Sequence, residues 1–137
     1  FDTGMNRLGF SVQDADQLLQ RCWQNKKIRV KAILTHLYEG EKALEEHSSS
    51  ERQLIELLSV LKKFDSLGIY AHALNSAGAL SRIRLIQSEV IQPENALLKA
   101  AWGIRPGLSL YGYNPLPGPD EFGLKPVMTL KSVVSVV

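Results

Sequence analysis

The residues best suited to chemistry lie in one short stretch, WGIRPGLSLYG at residues 102–112. An apolar run with one arginine, Arg105, is followed by a glycine that can open a helical turn. If Ile104 ends a strand, the backbone N–H groups of Gly107 and Leu108 are unpaired donors at the positive end of a helix dipole, which is an anion site. The Arg105 guanidinium offers several hydrogen-bond donors to the same anion site. The alternative is an ordinary surface turn.

The chain before this stretch contains two amphipathic helices that could position it. Ser11 is a suitable N-cap for the first helix, whose apolar residues recur at helical spacing. A second pattern predicts a helix through residues 51–67 that Gly68 ends. Ser49 or Ser50 caps its start. The apolar stripes are Ala15, Leu18, Leu19, Cys22 and Trp23 in the first helix, and Leu54, Leu57, Leu58, Leu61 and Phe64 in the second.

Apolar segments between the helices predict parallel strands. Strand ends recur near residues 1, 35, 74 and 104, a spacing of about 30 residues that is typical of βα units. This predicts an α/β fold, the second half of a (β/α)8 TIM barrel, with an open doubly wound sheet as the alternative. Residues 82–92 favour an extended piece, and Pro93 opens a helix through residue 101.

Both folds bind ligands at the C-terminal ends of their strands. Five polar residues fall there: Arg7, His36, Asn75, Ser76 and Arg105. Three of them also have a structural interpretation. Arg7 could pair with Asp2 in a loop, and Asn75-Ser76 could be a helix N-cap pair. His47 lies in a polar loop and receives no role.

The last part of the chain predicts a domain boundary. Three prolines in residues 115–119 are too stiff for a helix and indicate a linker, and the sequence from Pro126 onward has the valine and threonine content of a strand. We therefore expect residues 1–115 to form the half-barrel and residues 116–137 to form a linker and the start of a β domain. A start at Phe1 and a valine-rich end predict that the chain is a piece of a longer protein.

Charge and composition exclude several classes of function. The chain has 137 residues, a formal net charge of +2 and no basic cluster longer than Lys26-Lys27, which argues against a nucleic-acid partner. No run approaches 18 apolar residues, so no membrane span is expected. The one cysteine, Cys22, is expected to pack as a small core residue in a reducing compartment, which favours the cytoplasm. No residue is assigned to a metal.

Five blocks resemble the alanine racemase family. They are DTGMNRLG at residues 2–9, THL at 35–37, HALNSAGAL at 72–80, IRPGLSLYG at 104–112 and GLKPVMTLKS at 123–132. They occur in the family's order and at compatible spacings. The resemblance implies an enzyme dependent on pyridoxal 5'-phosphate (PLP), with an N-terminal βα barrel and a C-terminal β domain.

The resemblance also implies roles for the residues at the strand ends. Arg7 resembles an arginine that contacts the substrate carboxylate, and Arg105 one that donates to the pyridine nitrogen of PLP. Such a donor keeps that nitrogen unprotonated, so the ring is a weaker electron sink. His72 resembles a histidine that holds the pyridine-facing arginine, although a lone strand histidine is more often a core residue. The residues implied to bind the cofactor are His36, Asn75, Ser76, Arg105, Gly107 and Leu108.

The family's two catalytic bases, a lysine and a tyrosine of the partner subunit, have no counterpart here. The resemblance therefore implies that the chain alone is inactive and that the parent is a homodimer converting L-alanine to D-alanine for cell-wall peptidoglycan. The alternatives are a racemase for serine, lysine or a broader set of amino acids, and a non-catalytic PLP-binding protein. The segment after His36 lacks the family's usual small residues and aspartate, and residues 82–99 are longer than its usual connection.

Overall fold

Three parallel strands and three helices alternate along the chain in a computed structural model that describes residues 1–87 and 102–136. The helices are α1 (Ala15–Gln24), α2 (Ser49–Lys63) and α3 (Ser76–Gln87), and the strands are β1 (Ala32–Leu34), β2 (Tyr70–Leu74) and β3 (Trp102–Ile104). The sheet has the order β1-β2-β3, with Ile33 paired to Ala71 and Ala71 to Trp102. The predicted parallel α/β arrangement is therefore present. No helix in the described residues is long and apolar enough to cross a membrane.

The N-cap of α1 was predicted correctly and that of α2 was not. The Ser11 hydroxyl accepts from the Gln13 N–H ahead of α1. At α2 the cap is Ser48, which accepts from the Glu51 N–H at 2.9 Å, rather than Ser49 or Ser50. The Glu51 carboxylate in turn accepts from the His47 N–H at 2.6 Å. Ser48 stands three residues before Glu51, which is the spacing of a capping box. Ser50 has the same spacing to Gln53, but its hydroxyl donates to the Glu39 carbonyl instead.

The core lies between the sheet and the first two helices. Leu54, Leu57 and Phe64 of the predicted α2 stripe are buried. The helix ends at Lys63 rather than at residue 67, and Gly68, with φ of 59°, ends the short 3-10 turn that follows. Trp23 was predicted to be buried with the α1 stripe, but it is 59% exposed. Leu19 is the last residue of α1 in the buried core, so Trp23, one turn further along the helix, lies past the end of that core.

Strand β1 is shorter than the strand that the apolar sequence of residues 28–37 predicts, and residues 82–87 are helical rather than extended. Residues 28–31 do not join β1, because its neighbour β2 begins opposite Ala32. Residues 82–87 continue α3, whose Ser81 hydroxyl donates to the Glu41 carbonyl at 2.9 Å. A helix already started and packed overrides the local β preference. The helix predicted from Pro93 lies outside the described residues.

Two predicted β segments at the ends of the described chain do not form strands. Near residue 1, Asp2 makes an isolated parallel bridge with Ser11, and the Phe1 nitrogen donates to the Leu34 carbonyl at 2.6 Å. Residues 126–136 have no strand partner among the described residues, and Leu130 is fully exposed. A valine-rich sequence becomes a strand only where another strand offers hydrogen-bonding groups.

The core packing predicts that alanine substitutions at two nearby residues of α2 change the free energy of unfolding by different amounts. Leu57 is fully buried, so Leu57→Ala should lower the free energy of unfolding by about 2–5 kcal/mol through lost burial and a residual cavity. Ile55 is 53% exposed, and Ile55→Ala should change it by no more than about 0.5 kcal/mol. Urea unfolding followed by circular dichroism measures both. Equal losses in the two variants would contradict this packing of α2.

Candidate active site

A cavity of about 220 Å³ lies at the C-terminal ends of the three strands. It is lined by His36, Asn75, Ser76, Ala77, Arg105, Gly107, Leu108 and Pro115. These residues come mainly from the segments that follow β1, β2 and β3. The segments meet because parallel strands end at the same edge of a sheet. All six residues expected to bind a cofactor therefore line one cavity, although they come from parts of the chain up to 72 positions apart, from His36 to Leu108.

The Ser76 hydroxyl joins the start of α3 to the turn after β3. Its oxygen accepts from the Gly107 N–H at 2.8 Å and the Ser109 N–H at 3.2 Å, and it lies 3.1 Å from the Ser109 hydroxyl. The prediction of an unpaired N–H at Gly107 is therefore wrong. The Leu108 N–H has no acceptor within residues 1–87 and 102–136. Converging backbone N–H groups around one oxygen form a cradle that suits an anionic oxygen.

Asn75 and Ser76 have different structural roles. The Asn75 side-chain oxygen accepts from the Gly78 N–H at 2.9 Å, as an N-cap does, whereas the Ser76 hydroxyl contacts the turn after β3. The N-cap alternative thus holds for Asn75 alone. Gly40 packs directly against this side chain, since a Cβ there would lie 2.1 Å from the Asn75 oxygen. Any larger residue at position 40 would displace Asn75 from the cap.

Arg105 points across the sheet rather than into a solvent-exposed turn. Its backbone N–H donates to the Leu74 carbonyl at 2.8 Å, and its Nη2 donates to the Thr35 carbonyl at the end of β1. Its Nη1 is buried and has no partner among the described residues. Burial lowers the pKa of the Arg105 guanidinium, which still stays protonated at neutral pH. The cavity therefore contains a fixed cation with a donor available to a ligand.

His36 is a half-buried imidazole in a positive environment. Burial lowers its pKa, and the charges of Arg7 and Arg105 lower it further. The neutral imidazole is therefore the main form at pH 7. Such a ring can contact an aromatic or polar ligand without adding a third positive charge to the cavity.

Three buried polar residues behind His36 were not identified from the sequence. Gln53 of α2 bonds the His36 carbonyl and the Tyr38 N–H, and the hydroxyls of Thr3 and Thr35 are 2.7 Å apart. Its position in the sequence could have identified Gln53, because it directly precedes Leu54 on the inward face of an amphipathic helix. A polar residue at such a position usually has a specific hydrogen-bond partner.

Arg7 and His72 are not among the residues that line the cavity. Arg7 is exposed, and it reaches the site only through its electrostatic effect on His36. The alternative pairing with Asp2 is not seen, because the Asp2 carboxylate accepts from the Gly4 and Asn6 N–H groups.

His72 packs against a neighbouring ring and a neighbouring backbone. Its ring lies 5.2 Å from that of Tyr70 and over Gly103, where a Cβ would be 2.2 Å from its Nδ1. In the described residues no hydrogen bond joins His72 to Arg105, and the buried Nδ1 of His72 has no partner. The implied role of His72 as the residue that holds Arg105 stays a prediction.

The electrostatics of the cavity predict how His36 titrates. In NMR titration of the ligand-free protein, we expect its pKa below the usual histidine value of about 6.5. Arg7→Gln removes one of the two charges that disfavour protonation, so it should raise that pKa. Folding excludes a proton that the unfolded chain binds, so stability should fall as the pH drops from the usual value to the lowered one. A His36→Asn variant assigns the signal, and no rise in Arg7→Gln would contradict the account.

Comparison with known proteins identifies the family. The profile described as "Alanine racemase, N-terminal domain" matches residues 1–115. The alanine racemase of Mycolicibacterium vanbaalenii is 32% identical over 142 residues, which cover 99% of this chain and 32% of that protein. The alanine racemase of Methylacidiphilum infernorum is 32% identical over 136 residues, which cover 99% of this chain and 30% of that protein. The chain thus spans about a third of the length of these relatives.

Solved structures agree with the sequence match. The biosynthetic alanine racemase of Pseudomonas aeruginosa superposes with a TM-score of 0.66 at 26% identity, over 92% of this chain and 30% of that chain. The alanine racemase of Bartonella henselae, solved with covalently bound pyridoxal phosphate, gives a TM-score of 0.60 at 28% identity, over 91% and 30%. Sequence and fold lead to the same assignment: the chain belongs to the alanine racemase N-terminal domain family.

Proposed function

We propose that residues 1–115 form the second half of a PLP-binding (β/α)8 barrel within a longer enzyme, and that residues 116–137 lead into a β domain. The family's N-terminal domain has a TIM-barrel-type fold. One face of the described sheet supports this proposal, because Leu34 and Tyr70 share it and are 49% and 56% exposed. Apolar side chains on the inner face of a barrel are covered when the remaining strands close it.

The cavity at the strand ends fits PLP. The unpartnered Nη1 of Arg105 would donate to the pyridine nitrogen, while Gly107, Leu108 and Ser76 would hold the phosphate. His36 would contact the ring, and Asn75 would line the same end of the pocket. When bound, PLP supplies an electron sink that makes the Cα proton of an amino acid more acidic. A guanidinium beside the ring nitrogen keeps that nitrogen unprotonated, which moderates this effect.

The reaction that this site supports best is racemisation of L- and D-alanine by two-base proton transfer at Cα, which would supply D-alanine for peptidoglycan. Arg7 would bind the substrate carboxylate. The two bases lie outside this chain, and we propose that one comes from the partner subunit of a cytoplasmic homodimer. The observation that carries the proposal is that all six residues with implied cofactor roles line one cavity, with Arg105 and the Gly107 turn both facing it.

Replacing Arg105 tests the proposed role of the guanidinium. In the full-length protein, Arg105→Glu should retain PLP but lose most alanine racemisation, because a carboxylate favours a protonated ring nitrogen. Absorbance spectra report bound PLP, and a coupled D-alanine assay over a panel of amino acids reports turnover and substrate range. An unchanged spectrum with unchanged turnover would contradict the proposal. PLP bound by the wild type without turnover of any amino acid would instead favour a non-catalytic protein.

Ser76 gives a contrasting variant in the same assay. Ser76→Ala should weaken PLP binding more than it lowers kcat at saturating PLP, because it removes a phosphate contact and the oxygen that aligns the Gly107 and Ser109 N–H groups. Ser81→Ala is the matched control, since Ser81 is on the same helix and also buried but contacts Glu41. Equal PLP affinities in the two variants would argue against a phosphate site at Ser76.

A further inference from the structure

The side chain of Gln53 is almost completely buried behind the cavity, with 2% of its surface exposed. Its Oε1 accepts from the Tyr38 N–H at 2.9 Å, and its Nε2 donates to the His36 carbonyl at 3.0 Å. Both bonds hold the backbone that follows the His36 Cα, from its own carbonyl to the Tyr38 N–H. The backbone that carries the imidazole is therefore held by a residue that does not line the cavity.

A second branch of the same network reaches Arg105. The Nε2 of Gln53 also lies 3.4 Å from the Thr3 hydroxyl, which is 2.7 Å from the Thr35 hydroxyl. Thr35 is almost fully buried, and its carbonyl accepts from Nη2 of Arg105. Thr3 precedes the loop that contains Arg7. The Gln53 amide thus connects the chain segments that carry Arg7, His36 and Arg105.

The amide at this position has a specific use. Leu54 and Leu57 fill neighbouring buried positions on α2, and an apolar side chain at position 53 would bury equal surface but leave the Tyr38 N–H and the His36 carbonyl without this partner. The geometry uses what glutamine offers: one acceptor, two amide hydrogens and a reach of two methylenes. Asparagine is one methylene shorter, and methionine has comparable length with no amide.

We propose that Gln53 is a positioning residue for the reaction, which sets the orientation of His36 directly and that of Arg105 through Thr3 and Thr35. It touches neither cofactor nor substrate. The proposal rests on the function proposed above for its catalytic consequence, whereas its effect on His36 can be measured without any cofactor.

The test compares Gln53→Met with Ser50→Ala in the full-length protein. Ser50 is a matched control because it is fully buried on the same helix and bonds the same loop, at the Glu39 N–H and carbonyl, without contacting His36 or Thr3. Three quantities are measured for each variant: the Tm, the NMR titration of His36 in cofactor-free protein, and kcat/KM for alanine with PLP bound. Gln53→Asn is the second variant, because it keeps a polar group if Gln53→Met does not fold.

We expect both variants to lower the Tm, and only the Gln53 variants to alter the site. Loosening His36 should raise its pKa towards the usual histidine value, with Arg7 and Arg105 the charged groups acting on it. The kcat/KM should fall about 10- to 100-fold, as is typical for residues one step removed from a site. A Gln53 variant whose His36 titration matches that of Ser50→Ala would overturn the proposal. If the wild type lacks racemase activity, the proposed function fails, and the His36 titration still decides the role of Gln53.

Discussion

The contact between the Arg105 guanidinium and the Thr35 carbonyl spans the sheet from the end of β3 to the end of β1. It has two consequences. The cation is held over the C-terminal ends of the strands, where burial and a fixed geometry strengthen its interaction with a ligand. The second consequence is that the Thr35–His36 segment is tied to the segment after β3, so the cavity has a defined width. The Ser76 hydroxyl closes the other side by accepting from the Gly107 N–H.

Buried polar side chains that all have hydrogen-bond partners lie on the core side of this contact. Thr3, Thr35, Ser50 and Gln53 are all less than 8% exposed, and each has a hydrogen-bond partner. Leaving a buried donor or acceptor without a partner costs about 1–3 kcal/mol, so such networks favour one arrangement over looser ones. Three buried side-chain atoms lack partners in the described residues: Nη1 of Arg105, Nδ1 of His72 and Nδ2 of Asn114. The first two lie at or near the face where a ligand or further strands would complete the structure.

Local sequence signals predicted the helices and strands better than their lengths. The Ser11 cap and the turn at Gly107 were predicted correctly because caps and glycine turns depend on a few adjacent residues, whereas Gly68 ends the short turn after α2 and not the helix itself. The lengths of β1 and α3 depend on their neighbours: β1 starts where β2 offers a partner, and residues 82–87 extend a helix despite their β-branched content. The exposure of Trp23 likewise reflects how far the core extends, which periodicity along one helix does not encode.

Six of the residues that line the cavity were named from the sequence, together with Arg7, which lies outside it, but their contacts with each other were not predicted. Arg105 and Ser76 line the cavity as expected, yet the expected free N–H of Gly107 is occupied by the Ser76 hydroxyl, a contact across 31 positions of sequence. Gln53 was missed for the same reason, since its partners Thr3 and His36 lie far from it in the chain. Pairing between distant segments is set by topology, which no local pattern reports.

A crystal structure of the full-length protein with PLP bound tests the central claim most directly. The account predicts the phosphate within hydrogen-bond distance, about 2.7–3.2 Å, of the Gly107 turn and the Ser76 hydroxyl. It also predicts the Arg105 guanidinium at the pyridine nitrogen, still donating to the Thr35 carbonyl. A phosphate bound elsewhere, or an Arg105 side chain turned into solvent, would contradict the account.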